Sequence, residues 1–342
     1  MISSKAKLLI LLREKQGEPV SGQLLAKKMA VSRVSVWKAV QSLLEAGYSI
    51  ETNEKGYLLD PKNEKDFLYP WEFGERENLF FHYKNTPSTM DRAREIALSS
   101  TAFGSNTLHG SGGGFVFTAE KQSCGRGRNG RTWISKQGGL FFSILERPNL
   151  TIADYSLYSI IMQIAAAKAI SAVCGKKSFV RWPNDIYINK KKIAGVTTEI
   201  AGEGDLITWL TGGIGVNINN PSPAPKAVSC HEITGKCISR KSVLEKILEE
   251  IEITKKKFAS NAIYSQGNKL LCDEWNSLSD GIGAKTAVFK PEAKEDANGK
   301  TGKVLARGVF EGIDPKGRCI LKTKDKKLYF NQGSVSLAFL NP

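Results

Sequence analysis

The chain has 342 residues, a formal net charge of +15 at pH 7 and 41% hydrophobic residues. Its length suits two or three domains with ample core, and its composition excludes a disordered or fibrous chain. The positive excess points to an anionic partner such as DNA, a nucleotide or an acidic protein. Residues 1–60 hold nine Lys or Arg against six Asp or Glu, so only +3 of the excess lies there and +12 lies beyond. The cysteines Cys124, Cys174, Cys230, Cys237, Cys272 and Cys319 form no Cys-x-x-Cys pair and read as reduced thiols of a cytoplasmic protein. Cys230, His231 and Cys237 have metal-ligand chemistry but no evident fourth partner, so zinc is not expected. The apolar core of residues 5–13 is too short for a signal peptide, and no later stretch reads as long enough to span a membrane.

Residues 5–16 predict a helix with Leu8, Leu9 and Leu12 on one face. After a break at Gly17 and Pro19, residues 21–29 and 32–45 predict two more, separated by Ala30 and Val31. In the third, Ser32 is placed to cap the N-terminus and Val36, Val40, Leu43 and Leu44 form the buried stripe, with Arg33, Val34, Lys38, Gln41 and Ser42 towards solvent. Residues 48–51 and 56–59 alternate like two short strands around a turn carrying Asn53 and Lys55. This is the pattern of a winged helix-turn-helix whose third helix enters a major groove. The candidate DNA contacts are Ser32, Arg33, Ser35, Trp37, Lys38, Gln41 and Lys55. A small helical protein-interaction domain is the alternative. Residues 60–65 are polar, hold Pro61 and read as a linker.

From Phe80 the pattern changes to alternating strands and helices. Ser88 and Asp91 fit a capping box for a helix to about Leu98, and the glycine-rich insertion at 110–114 suggests no chemistry. Residues 125–133, GRGRNGRTW, lie between apolar runs at 115–118 and 140–145 that read as strands. Gly125, Gly127 and Gly130 let the backbone approach a ligand, while Arg126, Arg128 and Arg131 supply permanent positive charge, so the run reads as a mobile anion-binding loop able to close over a phosphate. An RNA-binding arginine-glycine segment or a solvated hairpin tip has the same composition. Residues 153–173 predict a long core helix. In FVRWPND, 179–185, Pro183 sets Asn184 and Asp185 at a turn. In KKKIAGVTTEI, 190–200, Lys190 and Lys191 read as a hairpin tip, Lys192 as an ammonium aimed into a pocket at the start of a strand, and Gly195 as a point of close approach. The run WLTGGIGVNIN, 209–219, ends a glycine-rich strand in Asn217 and Asn219, whose amides can read the edge of a base. Helices at 241–258 and 264–275 follow, and short strands at 286–289, 303–313, 319–322 and 327–330 predict a small barrel.

With GRGRNGRTW, RWPND, KKIAG and GIGVNIN in this order behind a winged helix, the chain resembles the biotin protein ligases of the bifunctional biotin operon repressor type, over nearly its whole length. The resemblance implies an α+β architecture: a winged helix-turn-helix at 1–62, a catalytic α/β domain with a mixed sheet at 63–282, and an SH3-like barrel at 283–342. It also implies a two-step reaction in which biotin and ATP with Mg2+ give biotinyl-5'-adenylate and pyrophosphate, after which the biotinyl group passes to a lysine of a carboxylase carrier domain. Operator DNA and an adenylate-bound homodimer belong to the same expectation, and no membrane does. By resemblance Lys192, Arg126, Arg128 and Asp185 are catalytic. Ser88, Thr89, Met90, Gln122, Gly127 and the two arginines, with Lys192, hold biotin; Arg131, Trp133, Asn184 and Asn217 lie towards ATP, and no metal ligand is assigned. Bringing a carboxylate onto an α-phosphate joins two anions, so such a site works by positioning and cationic stabilisation. The chain departs from the family pattern at Met90, where many relatives have Asn, at Arg181 in place of a common Lys, in the glycine insertion and in a lysine-rich hairpin near 292–303. A lipoate-type ligase would share the fold, without the full GRGRNGRTW run, and competition binding separates it. A non-enzymatic sensor-repressor would keep the pocket and lose transfer, yet Lys192 and the loop arginines are present.

Overall fold

Three serines start three helices. In the computed structural model, which describes residues 2–63, 65–99, 114–148, 150–259, 264–290 and 303–340, α1 (Ser4–Arg13), α2 (Gly22–Met29) and α3 (Arg33–Glu45) begin after Ser3, Ser21 and Ser32. The serine hydroxyls accept the amides of Ala6, Leu24 and Ser35, which satisfies donors that a helix start leaves open. Leu8, Leu9 and Leu12 pack with Leu25, Met29, Val36, Val40 and Leu43. Leu44, expected in the stripe, is 37% exposed, and Ala39 is buried in its place, because positions 36, 39, 40 and 43 share one helical face. The wing is β1 (Ile50–Asn53) against β2 (Gly56–Leu59), antiparallel, with Ile50 opposite Leu59. At its tip the Asn53 carboxamide oxygen accepts the amides of Lys55 and Gly56.

The first compact unit is longer than the wing predicts: it runs Met1–His82, and the second runs Tyr83–Pro342. Residues beyond the polar stretch at 60–65 return to the helices. Glu72 is buried and takes both guanidinium nitrogens of Arg13, at 2.9 and 3.0 Å, together with the Tyr48 hydroxyl. Trp71 donates to that hydroxyl at 2.9 Å, and the Lys5 ammonium lies 3.7 Å from the Trp71 ring centroid. Burial and the Glu72 charge push the Tyr48 phenol far above its usual range.

The chain passes between units within β3 (Phe80–Thr86) and continues as α4 (Thr89–Leu98), β4 (Phe115–Gln122), β5 (Leu140–Glu146), α5 (Tyr155–Cys174), β6 (Phe179–Arg181), β7 (Asp185–Ile188), β8 (Lys191–Glu203) and β9 (Leu206–Val216). The strands form a seven-stranded sheet in the order β3-β4-β5-β9-β8-β7-β6. The pairs from β4 to β6 are antiparallel, and parallel bridges at Val180–Ser279 and Lys192–Ala227 make the sheet mixed. Its register aligns Gly215 with Phe141 on one side and Gly195 on the other, and Gly195 with Asp185; Gly213 aligns with Ser143 and Thr197. Directly opposed residues share a face, so these positions make one floor. The opposite face packs on α5: a Cβ on Gly212 would stand 2.3 Å from Met162. Residues 152–174 are in fact long and apolar enough to cross a membrane, which corrects the sequence reading, but 78% of the 18-residue apolar window within them is buried, as befits a core helix.

After α6 (Cys230–Thr234), α7 (Arg240–Ala259) and α8 (Tyr264–Ser277) come β10 (Lys285–Phe289), β11 (Val304–Ile313), β12 (Cys319–Lys322), β13 (Lys327–Phe330) and β14 (Ser336–Phe339). They form an antiparallel sheet, β13-β12-β11-β10-β14, whose last strand the sequence reading missed. Ser156 donates to the Lys316 carbonyl at 3.0 Å and Trp182 to that of Gly317 at 3.3 Å, fixing this sheet to the α5 end. Residues 110–113 of the glycine insertion and 292–302 of the lysine-rich hairpin lie outside the described residues.

Candidate active site

Above the floor of Gly195, Gly213 and Gly215, a cavity opens between the start of α4, the end of β4, the loop 125–133 and the β7–β8 hairpin. Ser88 caps α4 by accepting the Met90 amide at 3.2 Å. Asp91 does not complete a capping box; its carboxylate takes the Arg126 guanidinium instead. The Gln122 oxygen accepts the Thr89 amide at 2.8 Å and hydroxyl at 3.2 Å, while its nitrogen donates to Ser135 at 2.8 Å. Thr89 and Ser143 share a further hydrogen bond at 2.7 Å. These bonds lock a polar wall in place. Met90 adds an apolar element to it, buried with its sulfur 2.9 Å from where a Cβ on Gly213 would be.

The loop is a small hairpin. Gly127 donates to Arg131 at 2.7 Å and Trp133 to Gly125 at 2.8 Å, and Asn129 and Gly130 turn the tip with left-handed φ of 56° and 71°. Its three arginines have different fates. Arg126 is held by Asp91 and by Glu199, the latter at 3.0 Å, so two carboxylates already offset its charge. Arg131 is exposed. Arg128 turns inward beneath the loop: burial pushes its guanidinium below the usual value, and its Nη2 is buried without a hydrogen-bond partner among the described residues. The Trp133 indole lies on the floor, where a Cβ on Gly215 would meet it at 2.5 Å and one on Gly195 at 3.1 Å. Its Nε1 is likewise buried with no partner among the described residues.

Lys192 Nζ is 2.6 Å from Asp185 Oδ1 and 5.3 Å from the Trp133 ring centroid. Asp185 is the first residue of β7 rather than a turn residue, and the turn is 182–184. The hairpin tip is Asn189 and Lys190, with φ of 49° and 60°, one residue earlier than the expected Lys190 and Lys191, since Lys191 already pairs in β8; it brings Lys192 to the cavity. Asn184 spends its amide on the Val196 carbonyl at 2.6 Å. The cavity thus gathers Ser88, Thr89, Met90, Gln122, Arg126, Gly127, Arg128, Arg131, Trp133, Asn184, Asp185 and Lys192. Asn217 is not in its lining: it is buried and accepts from Asn220 at 3.1 Å. Thr132, Phe142, Thr197 and Ile214 line the cavity without having been singled out, and only the alternation along KKIAGVTTEI could have found Thr197, two residues beyond Gly195.

In the first unit Arg33, Val34, Trp37 and Lys55 line a groove between α2, α3 and the wing. Ser32 and Lys38 are also exposed, whereas Ser35 and Gln41 are half-buried. Val34 and Trp37 are 62% and 52% exposed on this face of α3.

The Biotin/lipoate A/B protein ligase family matches residues 94–219, and a helix-turn-helix domain family matches 5–58. The Bacillus subtilis bifunctional ligase/repressor BirA is 31% identical over 338 residues, 94% of this chain and 95% of that protein. Its Escherichia coli counterpart is 25% identical over 331 residues, with 94% of each covered. A structure of the Aquifex aeolicus biotin protein ligase in complex with biotin and ATP superposes with a TM-score of 0.59 at 25% identity, over 76% of this chain and 98% of that one. The agreement spans the helix-turn-helix and the ligase core and covers nearly the full length, so the chain belongs to the bifunctional ligase/repressor family of biotin protein ligases.

Proposed function

We propose that the cavity above Gly195, Gly213 and Gly215 joins biotin to ATP and passes the biotinyl group to a carrier-domain lysine. The observation that carries this reading is a pair of buried donors without partners among the described residues, Arg128 Nη2 and Trp133 Nε1, beside the Lys192 ammonium over the glycines Gly195, Gly213 and Gly215. Such donors suit an anionic, planar ligand. The wall of Ser88, Thr89, Met90 and Gln122 would take the biotin head, with the Arg126–Arg128 backbone alongside. Trp133, Arg131 and Asn184 would face the nucleotide, and Asn217 would support that side from behind through its contact with Asn220.

In the first step a biotin carboxylate oxygen attacks the α-phosphorus and the bond to the β-phosphate oxygen breaks, releasing pyrophosphate. Lys192 and Arg128 supply positive charge where the carboxylate and phosphate meet, and Asp185 aims the ammonium. In the second step the carrier lysine amine attacks the acyl carbon and AMP leaves. Among the described residues Asp185 is the one carboxylate in the lining, which suits Mg2+ carried in on phosphates with few protein ligands. When bound, the ion would offset phosphate charge.

The α3 face and the wing would read operator DNA, with Ser32, Arg33, Ser35, Trp37, Lys38, Gln41 and Lys55 as contacts and a homodimer as the bound form. Functionally we divide the chain into a DNA segment at 1–62, a catalytic segment at 63–282 and an SH3-like barrel at 283–342. The five antiparallel strands, bulged near Phe310 and Gly312, support the barrel reading. The scattered cysteines, all unpaired among the described residues, support a cytoplasmic setting. The test is incubation with labelled biotin, MgATP and a biotin carrier domain. Label on the carrier, abolished by omitting ATP, is expected; labelled lipoate transferred as readily as labelled biotin, or no label on the carrier at all, would overturn the reading.

A further inference from the structure

Arg126 sits in the loop as a positive charge, and its guanidinium is engaged by two carboxylates of the scaffold. Asp91, in the first turn of α4, and Glu199, on β8, hold it from two sides, and Arg94, one turn along α4, holds Glu199 as well. Glu199 follows Gly195 and Thr197 at alternate positions, so it projects from the same sheet face as the cavity floor. Four side chains from α4, β8 and the loop therefore close one network at the cavity's edge. Below Arg126 the chain is tied through backbone, from Cys124 to the Pro87 carbonyl at 2.9 Å and from Ser123 to that of Thr86 at 3.0 Å. The remaining backbone bonds of the hairpin are internal to it, from Gly127 to Arg131 and from Trp133 to Gly125. Beside the Trp133 indole on the floor, Arg126 thus ties the loop by charge to the helix and the sheet that form the other walls.

We propose that Glu199 and Asp91 are positioning residues that hold the 125–133 loop over its ligand through Arg126, and so set how long a bound ligand stays. The proposal rests on the cavity being the biotin site. The physical basis is a division of labour: Arg126 gives its charge to the scaffold, which leaves Arg128 to face the ligand. Side-chain exposures of 23% to 38% across the network mean that each pair alone is weak and open to screening by salt, while shared partners make the set cooperative. Loosening it affects departure more than arrival, since association is limited by encounter and departure by the loop.

The experiment measures binding and release of labelled biotin with the full chain at low and high salt. For Glu199→Gln we expect release about tenfold faster and association within about twofold of wild type. Adenylate formation in a single turnover at saturating biotin should stay within about threefold, a split that a general loss of structure would not produce. Wild-type release should quicken with salt, and Glu199→Gln should flatten that dependence. In an Arg126→Ala background Glu199→Gln should add nothing further; an undiminished effect there would place Glu199's action elsewhere and overturn the proposal. Asp91→Asn provides the same reading from α4 if Glu199→Gln lowers the unfolding midpoint, and unchanged release in both variants overturns the proposal alone. A wild-type chain that binds no biotin overturns the functional reading and this proposal with it.

Discussion

Gly215→Ala places one methyl group under the Trp133 indole. The added Cβ would stand 2.5 Å from both Cε2 and Nε1 and 3.0 Å from Cζ2. Carbon contacts settle at about 3.5 to 4.0 Å, so the overlap is roughly 1 Å over several atoms. Gly215 lies in an extended strand without positive φ, so alanine fits the backbone and the conflict is with the indole alone. Overpacking of this kind costs about 1 to 3 kcal/mol. The indole escapes by leaving its bed, and the nucleotide side of the cavity loses its wall. Since about 1.4 kcal/mol is tenfold, the ATP KM should rise roughly 10- to 100-fold. Biotin affinity should change by less than about threefold, because the Thr89, Gln122 and Ser143 bonds that form the other wall are untouched. Gly195→Ala, whose Cβ would stand at 3.1 Å from the same ring, should be milder in the same direction. Pyrophosphate release at varied ATP, with a separate biotin titration, reads both quantities. A folded Gly215→Ala protein with wild-type ATP KM would remove Trp133 from the nucleotide site.

Lys192→Ala should leave the fold intact and slow adenylate formation by about 10² to 10³, the size typical of one preorganised charge, and near wild-type pyrophosphate release would move that charge to another residue. Glu72→Gln should destabilise the first unit by about 3 kcal/mol, less than a fully buried pair because Arg13 is 32% exposed, and urea unfolding followed through tryptophan emission would contradict this with a loss below about 1 kcal/mol. The adenylate, more than biotin alone, should drive dimerisation and operator binding, since the winged helix has few contacts and a charge of only +3 within residues 1–60; by linkage DNA should then favour the adenylate-bound form. Sedimentation and gel shift should rank a non-hydrolysable adenylate above biotin and biotin above neither, and a monomer off DNA in all three would leave the ligase function alone.

Local chemistry is what the sequence displays best. Ser3, Ser21 and Ser32 precede apolar periodicities and cap helices there, and the GRGRNGRTW and KKIAG runs lie on one cavity. What it conceals depends on contacts distant in the chain. Asp91 has the spacing of a capping partner for Ser88, three residues away, but Arg126, 35 residues on, competes with charge as well as a hydrogen bond. Glu72 lies in a stretch with no periodicity, and only the fold reveals Arg13 opposite it, 59 residues away. Asn217 lies near the end of a glycine-rich strand whose amides read as facing a base, yet its side-chain oxygen is buried and accepts from Asn220. Leu44 misleads for a simpler reason: at the edge of a helical stripe, apolarity does not decide which neighbour faces inward.

Gly333, in the segment between β13 and β14, has a left-handed φ of 96°, and a Cβ there would lie 3.9 Å from both Arg128 Nη2 and the Tyr155 hydroxyl. A stretch far along the chain thus approaches Arg128, the arginine proposed to face the ligand. Mutational scans should therefore find two kinds of tolerance in the C-terminal strands: permissive over most of their surface, and as strict as the GRGRNGRTW run around residue 333. Replacements there would select against activity before they select against folding, so a lineage free to vary its carrier protein or operator would still hold this short segment fixed.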